Sequence, residues 1–395
     1  MEKIVFLGYV VSPEHLTNSI AGNKMQWNLL RQLSKINGTS LSCVSVTPTS
    51  SFPHSKKLFY RYQVEQLLGN VTNHRISFCN IPILKQLSQI ISVYRMAKKA
   101  VRETEADALL CFNLFPQIGI PMRWLKRKYP HLKTFCLLAD LPIDDNPHRN
   151  FFSRMLRAAF DSSTLKSMKI CDYYIALNEV AMKEYLPDKP YLIVDGGINP
   201  DEFENVPIGW PGKEKNIVYT GALVDYSGIM NLIKAMEFVE DQSVVLDIYG
   251  SGILETEIQR GAANSEKIRW HGSVDNETAI KVQQSAWLLA NPRPVGSKIA
   301  KATFPSKIFE YLMSERPVMT TRLNGFSKDY DSLLYWIEGE APEDIASCIN
   351  KICKESDETI SARAKEARQY LLKNKTWEIN AIKVNRFISD YLDKD

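Results

Sequence analysis

Between Trp287 and Thr321 the chain concentrates residues whose types and spacing could do chemistry. A β-rich apolar run, Trp287 to Ala290, delivers Arg293, and Pro305 then precedes Ser306, Lys307 and Glu310 in a segment with a helical pattern. Proline is preorganised for a first helical position, so a helix is predicted to open there. Free backbone N–H groups and the positive end of the helix dipole make that opening a ready anion site. Lys307 adds a full positive charge. Glu310 lies three residues on from Lys307 and four from Ser306, so the three share one helix face. A cation, a helix N-terminus and a carboxylate one turn deeper suit a sugar nucleotide, with diphosphate on the amides and ribose hydroxyls on Glu310. A capped surface helix with a local Lys307–Glu310 pair would use the same residues.

Composition narrows the class. The 395 residues are 45% hydrophobic and 24% charged, as in a soluble globular chain with room for two domains. The opening MEKIVFLGYVV reads as a strand, too short for a membrane span and without a cleavage region, and no later apolar run is long enough to cross a bilayer. Cysteines 43, 79, 111, 136, 171, 348 and 353 form no Cys-x-x-Cys pair, which predicts reduced thiols in the cytosol. The six histidines show no metal-ligand spacing, so neither a metal nor another cofactor is expected.

The net charge of +4 hides an asymmetry. Residues 1–200 carry 25 Lys and Arg against 15 Asp and Glu, or +10; residues 201–395 carry 24 against 30, or −6. The basic half clusters charge in YRMAKKAVR (94–102) and RWLKRKYPHLK (123–133), interleaved with aromatic and apolar residues. Such a surface suits an anionic bilayer or a lipid-diphosphate. Solvated helix faces would look the same. A nucleic-acid partner is not expected, because no binding motif accompanies the charge.

Strand and helix patterns alternate along the chain. Strands are predicted at Lys3–Val10, Leu41–Thr47, Asp107–Phe112, Thr134–Ala139 and Tyr173–Leu177. In the second half they fall at Asn216–Tyr219, Val244–Tyr249, Lys267–Trp270, Trp287–Ala290 and Pro317–Thr320. The clearest helix places Leu84, Leu87, Ile90, Ile91, Tyr94 and Val101 on one apolar face. This rhythm predicts an α/β chain of two Rossmann-like, doubly wound domains with a ligand cleft at the carboxyl ends of the strands. The expected boundary is the Gly-, Pro- and charge-rich segment 194–215, giving domains 1–195 and 196–375, with an amphipathic C-terminal helix (376–395) joined to the first. In the second domain, strand NIVYT ends at Gly221 and a helix begins near Gly228, where bare backbone could approach a phosphate or hexose. Strand VVLDIY runs into Gly250-Ser251-Gly252, another such turn, which tight-turn geometry explains equally well. Gly196-Gly197 reads as linker or as part of the site.

In order, GGINPDEF, YTGAL, LDIYGSG, IRWHGSV and NPR…FPSKIFEYLMSERPVMTT resemble glycosyltransferase family 4 over about residues 195–322, most closely its bacterial polysaccharide-assembly branch. The resemblance implies a GT-B fold and a retaining, metal-independent hexosyltransferase, with the nucleotide-sugar donor in the second domain and the acceptor in the first. Gly221, Arg293, Ser306, Lys307 and Glu310 fall on matching positions, and Gly250 joins them as a donor-side glycine. Two departures stand out. The family commonly has two glutamates eight residues apart; Glu310 is the second, but the first position is Ala302. It also tends to place an Arg and a Lys after the strand ending at Gly221, where this chain has ALVDYSG. Arg293 and Lys307 are therefore expected to neutralise the leaving diphosphate. Asp140, ending TFCLLAD, is the candidate for orienting an acceptor hydroxyl, and Asn113, ending LLCFN, for contacting the acceptor. Together these readings predict transfer to a saccharide, lipid-diphosphate-linked, by a cytoplasmic protein held peripherally at the inner membrane face. Two alternatives stay open: a GT-B epimerase or phosphorylase, and a silent GT-B partner protein, which Ala302 would suit.

Overall fold

The computed structural model describes residues 2–12, 21–68, 71–142, 151–203, 214–296 and 304–393. The chain divides into two compact units, Met1–Asp195 with Trp377–Asp395, and Gly196–Thr376.

The first unit opens with β1 (Glu2–Gly8), α1 (Ala21–Leu33) and β2 (Thr39–Ser45). Four short strands follow: β3 (Phe59–Tyr60), β4 (Gln63–Leu68), β5 (Val71–Arg75) and β6 (Phe78–Cys79). Regular alternation then resumes with α2 (Leu84–Thr104), β7 (Ala108–Phe112), α3 (Pro116–Lys128) and β8 (Lys133–Leu138). It ends with α4 (Phe151–Ile170), β9 (Tyr173–Ala176), α5 (Glu179–Tyr185) and β10 (Tyr191–Ile193). The main sheet runs β10-β9-β8-β7-β1-β2-β5-β4. Its pairs are parallel, as the alternation predicts, apart from β4, which returns antiparallel on β5. Strands such as Ala108–Phe112 are buried throughout, because helices cover both faces of a parallel sheet. The small pair β3–β6 stands outside this sheet.

The second unit contains β11 (Lys215–Thr220), α6 (Ile229–Ala235), β12 (Val244–Tyr249), α7 (Glu255–Ala263), β13 (Ile268–Trp270) and α8 (Asn276–Ser285). After these come β14 (Leu288–Asn291), α9 (Lys307–Met313), β15 (Val318–Thr321), β16 (Tyr335–Ile337), α10 (Pro342–Cys353) and α11 (Asp357–Asn374). Its sheet, β13-β12-β11-β14-β15-β16, is wholly parallel. The terminal helix α12 (Trp377–Leu392) belongs to the first unit. Buried Trp377, Ala381, Val384 and Ile388 recur on one helical stripe, in the core cluster that contains Leu29, Leu30 and Phe135. Phe387 and Tyr391 add ring contacts to Tyr173 at 6.4 and 4.2 Å between centroids.

One helix departs from its pattern. α2 forms where expected, but it buries Gln89, Ile90, Val93, Ala97, Ala100 and Val101, while Leu84, Leu87 and Ile91 are exposed. Small residues on the Val93–Ala97–Ala100 stripe let it lie close to its neighbours, and that fit sets its rotation instead of the larger Leu side chains. Among the described residues no helix is long and apolar enough to cross a membrane. The seven cysteines are free and mostly buried.

Candidate functional site

In the second unit, the segments following β11 and β14 meet the start of α9 around a cavity of about 300 Å³. Thr220, Gly221 and Ala222 come from the first segment, Asn291 and Arg293 from the second, and Pro305, Ser306 and Lys307 from the third. Among the described residues its lining carries two cations, Arg293 and Lys307, and no carboxylate.

Lys307 is positioned by hydrogen bonds. Its Nζ donates to the Thr220 carbonyl at 2.6 Å and lies 3.4 Å from Thr220 Oγ1. Burial pulls its pKa below the ordinary lysine value, and the charge of Glu310 partly restores it. Thr220 is clamped in turn. Its N–H donates to the Tyr311 hydroxyl at 2.9 Å, that hydroxyl lies 3.2 Å from the Thr220 carbonyl, and Gln283 Nε2 donates to Thr220 Oγ1 at 2.9 Å. Tyr311 is fully buried, and burial pushes its hydroxyl pKa up, so it stays a neutral donor and acceptor. The helix does not open on Pro305 itself. Ile308 N–H donates to the Pro305 carbonyl at 2.9 Å in a tight first turn, Ser306 has helical angles, and its side chain makes no capping bond. The amides at the start of that turn have no intrahelical partner, which suits an anion.

Arg293 is held mainly through its backbone. Its N–H donates to the Asn291 carbonyl at 2.9 Å, and the Thr321 hydroxyl donates to its carbonyl. Asn291 Nδ2 donates to Thr320 Oγ1 at 3.0 Å, which ties β14 to β15 at this point. The guanidinium lies 5.6 Å from the ring centre of Tyr226 and is largely desolvated, which lowers its pKa while leaving it cationic.

The glycines do a different job from the one their positions suggest. A Cβ on Gly228 (φ 75°) would lie 1.8 Å from the Pro292 carbonyl oxygen, so its bare backbone makes room for the Asn-Pro-Arg loop. A Cβ on Gly250 (φ 152°) would lie 1.8 Å from the Gly221 carbonyl oxygen, and Gly250 does not line the cavity. At Gly221 a Cβ would approach the Tyr219 hydroxyl at 3.0 Å and Lys307 Nζ at 3.5 Å, so this glycine does border the cation. Gly196 packs against the Phe309 ring of α9. Glu310 sits in the first turn of α9 but outside the cavity lining, and Ala302 lies outside the described residues.

In the first unit Asn113 and Asp140 form a pair at the carboxyl ends of β7 and β8. Asn113 Nδ2 donates to Asp140 Oδ2 at 3.0 Å, and its Oδ1 accepts from the amides of Ala139 and Asp140 at 2.9 and 3.0 Å. Asn113 is buried in a left-handed conformation (φ 51°) that Asn tolerates better than most residues. Both its amide atoms are thus spent on holding Asp140. Asp140 keeps surface accessibility, but the chain packed around its carboxyl desolvates it enough to raise its pKa, and the Asn113 bond partly offsets that rise.

Sequence reasoning did not single out Thr220, Tyr226, Gln283, Asn291 or Tyr311. Only Tyr311 left a local signal, one turn beyond Lys307 on the same face.

Residues 214–355 match the family model described as Glycosyl transferases group 1. No curated protein matches the chain. Among solved structures, sucrose-phosphate synthase from Thermosynechococcus elongatus superposes with a TM-score of 0.72 at 13% identity, covering 100% of both chains. A glycosyltransferase from Rickettsia africae gives 0.67 at 13%, covering 100% of this chain and 99% of that one. The catalytic domain of starch synthase IV from Arabidopsis thaliana, bound to ADP and acarbose, gives 0.68 at 9%, covering 100% of both. The fold is therefore GT-B, and the unit that holds the two-cation cavity carries the match to the group 1 glycosyltransferase model.

Proposed function

We propose that this chain is a retaining, metal-independent glycosyltransferase. It would move a sugar from a nucleotide-sugar to a saccharide acceptor during surface or exopolysaccharide assembly, in the manner of glycosyltransferase family 4. The observation that carries the reading is the cavity that presents Arg293 and Lys307 at the carboxyl ends of β11 and β14, with no acidic side chain among the described lining residues. Two partly buried cations with no carboxylate among the described lining residues favour an anion that repays their desolvation. A sugar diphosphate is such an anion. The stretch Ala222–Gly228, where the family tends to have cations, instead supplies Tyr226, and Arg293 reaches that ring from the neighbouring strand.

Cleaving a glycosyl–phosphate bond leaves an oxocarbenium-like sugar and adds negative charge to the diphosphate. Fixed cations aimed at that charge stabilise the transition state more than the ground state. Lys307 is already pinned to Thr220, which Tyr311 clamps in turn, so little reorganisation is needed as charge builds. With retention, the leaving phosphate oxygen accepts the acceptor hydroxyl's proton, and Asp140, anchored by Asn113, orients that hydroxyl. In this reading Gly221, Ser306 and the start of α9 cradle the phosphates, Glu310 takes the ribose, and Gly250 keeps the β12 turn close to Gly221. The acceptor is a lipid-diphosphate-linked saccharide at the inner membrane face, which the +10 charge of residues 1–200 favours.

Nucleotide release from UDP-, GDP-, dTDP- and CMP-sugars, with and without saccharide acceptors, tests the reading. Transfer with one donor, anomeric configuration kept and EDTA without effect, is the expected result. Release with no donor under any acceptor would favour a silent GT-B protein.

A further inference from the structure

We propose that the exposed apolar face formed by the first half of α2 and the β3–β6 pair docks on an anionic lipid bilayer, with the second half of α2 as its cationic flank. The proposal rests on the membrane-face acceptor assigned above; it narrows the contact to one face of α2 and adds the apolar residues of that face and of the β3–β6 pair.

The outward stripe of α2 changes character along its length. Leu84, Leu87 and Ile91 are 52%, 55% and 46% exposed. At the same three- and four-residue spacing the stripe continues as Arg95, Lys98 and Arg102. The 21-residue helix is about 30 Å long, so apolar and cationic halves share one face over that distance.

A second segment extends the apolar end. Phe59 is 62% exposed and pairs through β3 with β6. Asn80 N–H donates to the Leu58 carbonyl at 2.7 Å, and Phe52 N–H donates to the Asn80 carbonyl at 2.9 Å. These bonds lace residues 52–59 to the chain entering α2, so Phe52, Leu58, Phe59, Ile81 and Ile83 stand exposed beside the helix start as one fixed surface. Ile83 adopts φ 69°, a costly angle for a β-branched residue, and its side chain is still exposed.

Charge selects the occupant. Residues 47–64 and 76–102 contain no Asp or Glu, yet they include Lys56, Lys57 and Arg61 besides the cations of α2, Lys85 among them. Lys57, Arg61 and Arg75 also line a cavity of about 460 Å³ that includes Phe59, room for a headgroup phosphate beside the apolar patch. Further along, Lys98 of α2 and Lys128 of α3 crowd each other enough that the charge of Lys128 lowers the Lys98 pKa. An excess of positive charge, relieved at Arg75 by Glu65 and at Lys99 by Glu103, next to exposed aliphatic side chains fits a surface that is anionic and apolar below. A scatter of single exposed apolar residues is ordinary; a contiguous patch rimmed with one sign of charge is an interaction surface.

Co-sedimentation of the full chain with phosphatidylcholine vesicles, with and without phosphatidylglycerol, reads docking without any donor. Wild type is expected to pellet with the anionic vesicles only, and less as salt rises. The L84Q/L87Q/I91Q and R95Q/K98Q/R102Q variants, and independently F59S, should each bind at least about tenfold more weakly, because apolar insertion and cation attraction both contribute. K351Q/K354Q in the second unit should bind normally. No pelleting at low salt, equal pelleting with neutral vesicles, or normal pelleting by the natively folded α2 variants would overturn the proposal. So would a self-associated species that the apolar variant dissolves while wild type ignores vesicles. Nucleotide release is measured separately, so sugar transfer without vesicle binding sinks the docking surface alone, and vesicle binding without transfer sinks the catalytic reading alone.

Discussion

Lys307 in the second unit and Asp140 in the first are mirror images in charge. Each sits at the carboxyl end of a parallel sheet, and each is held by one neighbour, Thr220 for the lysine and Asn113 for the aspartate. Burial pushes both toward neutrality, the ammonium pKa down and the carboxyl pKa up. The surroundings differ. Among the described residues, Lys307 shares its cavity with a second cation and no acid, whereas Asp140 has one amide donor on one oxygen. In the proposed reading the first arrangement is completed by a multiply charged anion. The second is built to receive one hydrogen bond. A donor diphosphate and an acceptor hydroxyl would meet those two needs.

The contrast can be broken most sharply at the cations. Lys307→Ala and Arg293→Ala should each lower turnover by between tenfold and about a thousandfold, the range for losing a preorganised charge-stabilising group. Circular dichroism should stay native, and near-normal turnover in both folded variants would remove the diphosphate assignment.

Tyr311→Phe should act less strongly. It leaves the buried Thr220 amide without its acceptor, which costs about 1–3 kcal/mol of stability by urea titration. Because Lys307 keeps its own bond to Thr220, kcat should fall by only about tenfold, one such energy increment. An unchanged urea midpoint would mean the clamp does not hold Thr220.

The aspartate predicts a pH signature. Its folded pKa is raised, so between the ordinary carboxylate value and the raised one the folded state binds more protons than the unfolded state. Stability contributed by Asp140 is therefore lost as pH rises through that window. Asp140→Asn should remove this part of the slope, read from urea midpoints against pH. An identical slope in the variant would place the titration elsewhere.

The smallest effect is expected from EDTA, which should leave turnover unchanged. Loss restored by Mg²⁺ or Mn²⁺ would contradict metal independence.

How much of this was legible in the sequence varied by element. Continuous apolar runs such as Ala108–Phe112 declare buried parallel strands because nothing else of that length is so uniformly apolar. The two-residue strands β3 and β6 leave no periodicity to read, whereas the antiparallel β4–β5 pair did leave a signal, the dipeptide Gly69-Asn70, which a search for strand–helix alternation passes over. Helix α2 was legible as a helix but not in its rotation, which depends on what Ala97 and Ala100 pack against. Arg293 and Lys307 stood out because charge next to Pro and an apolar run is locally unusual. Their supports did not, since Gln283 and Tyr311 reach Thr220 across 63 and 91 residues of chain. The glycines misled for a related reason: at Gly228 and Gly250 the room left by the missing side chain is filled by distant backbone carbonyls, not left for a ligand.

The most direct measurement is calorimetric titration of UDP, GDP and dTDP, each beside its monophosphate, into wild type and the Arg293→Ala/Lys307→Ala double variant. Wild type should bind one diphosphate at least about tenfold more tightly than its monophosphate, since the second phosphate meets the two cations. The folded double variant should lose that preference. Equal binding of mono- and diphosphates by wild type, or a preference that survives removal of both cations, would contradict the assignment of this cavity to a sugar-nucleotide diphosphate.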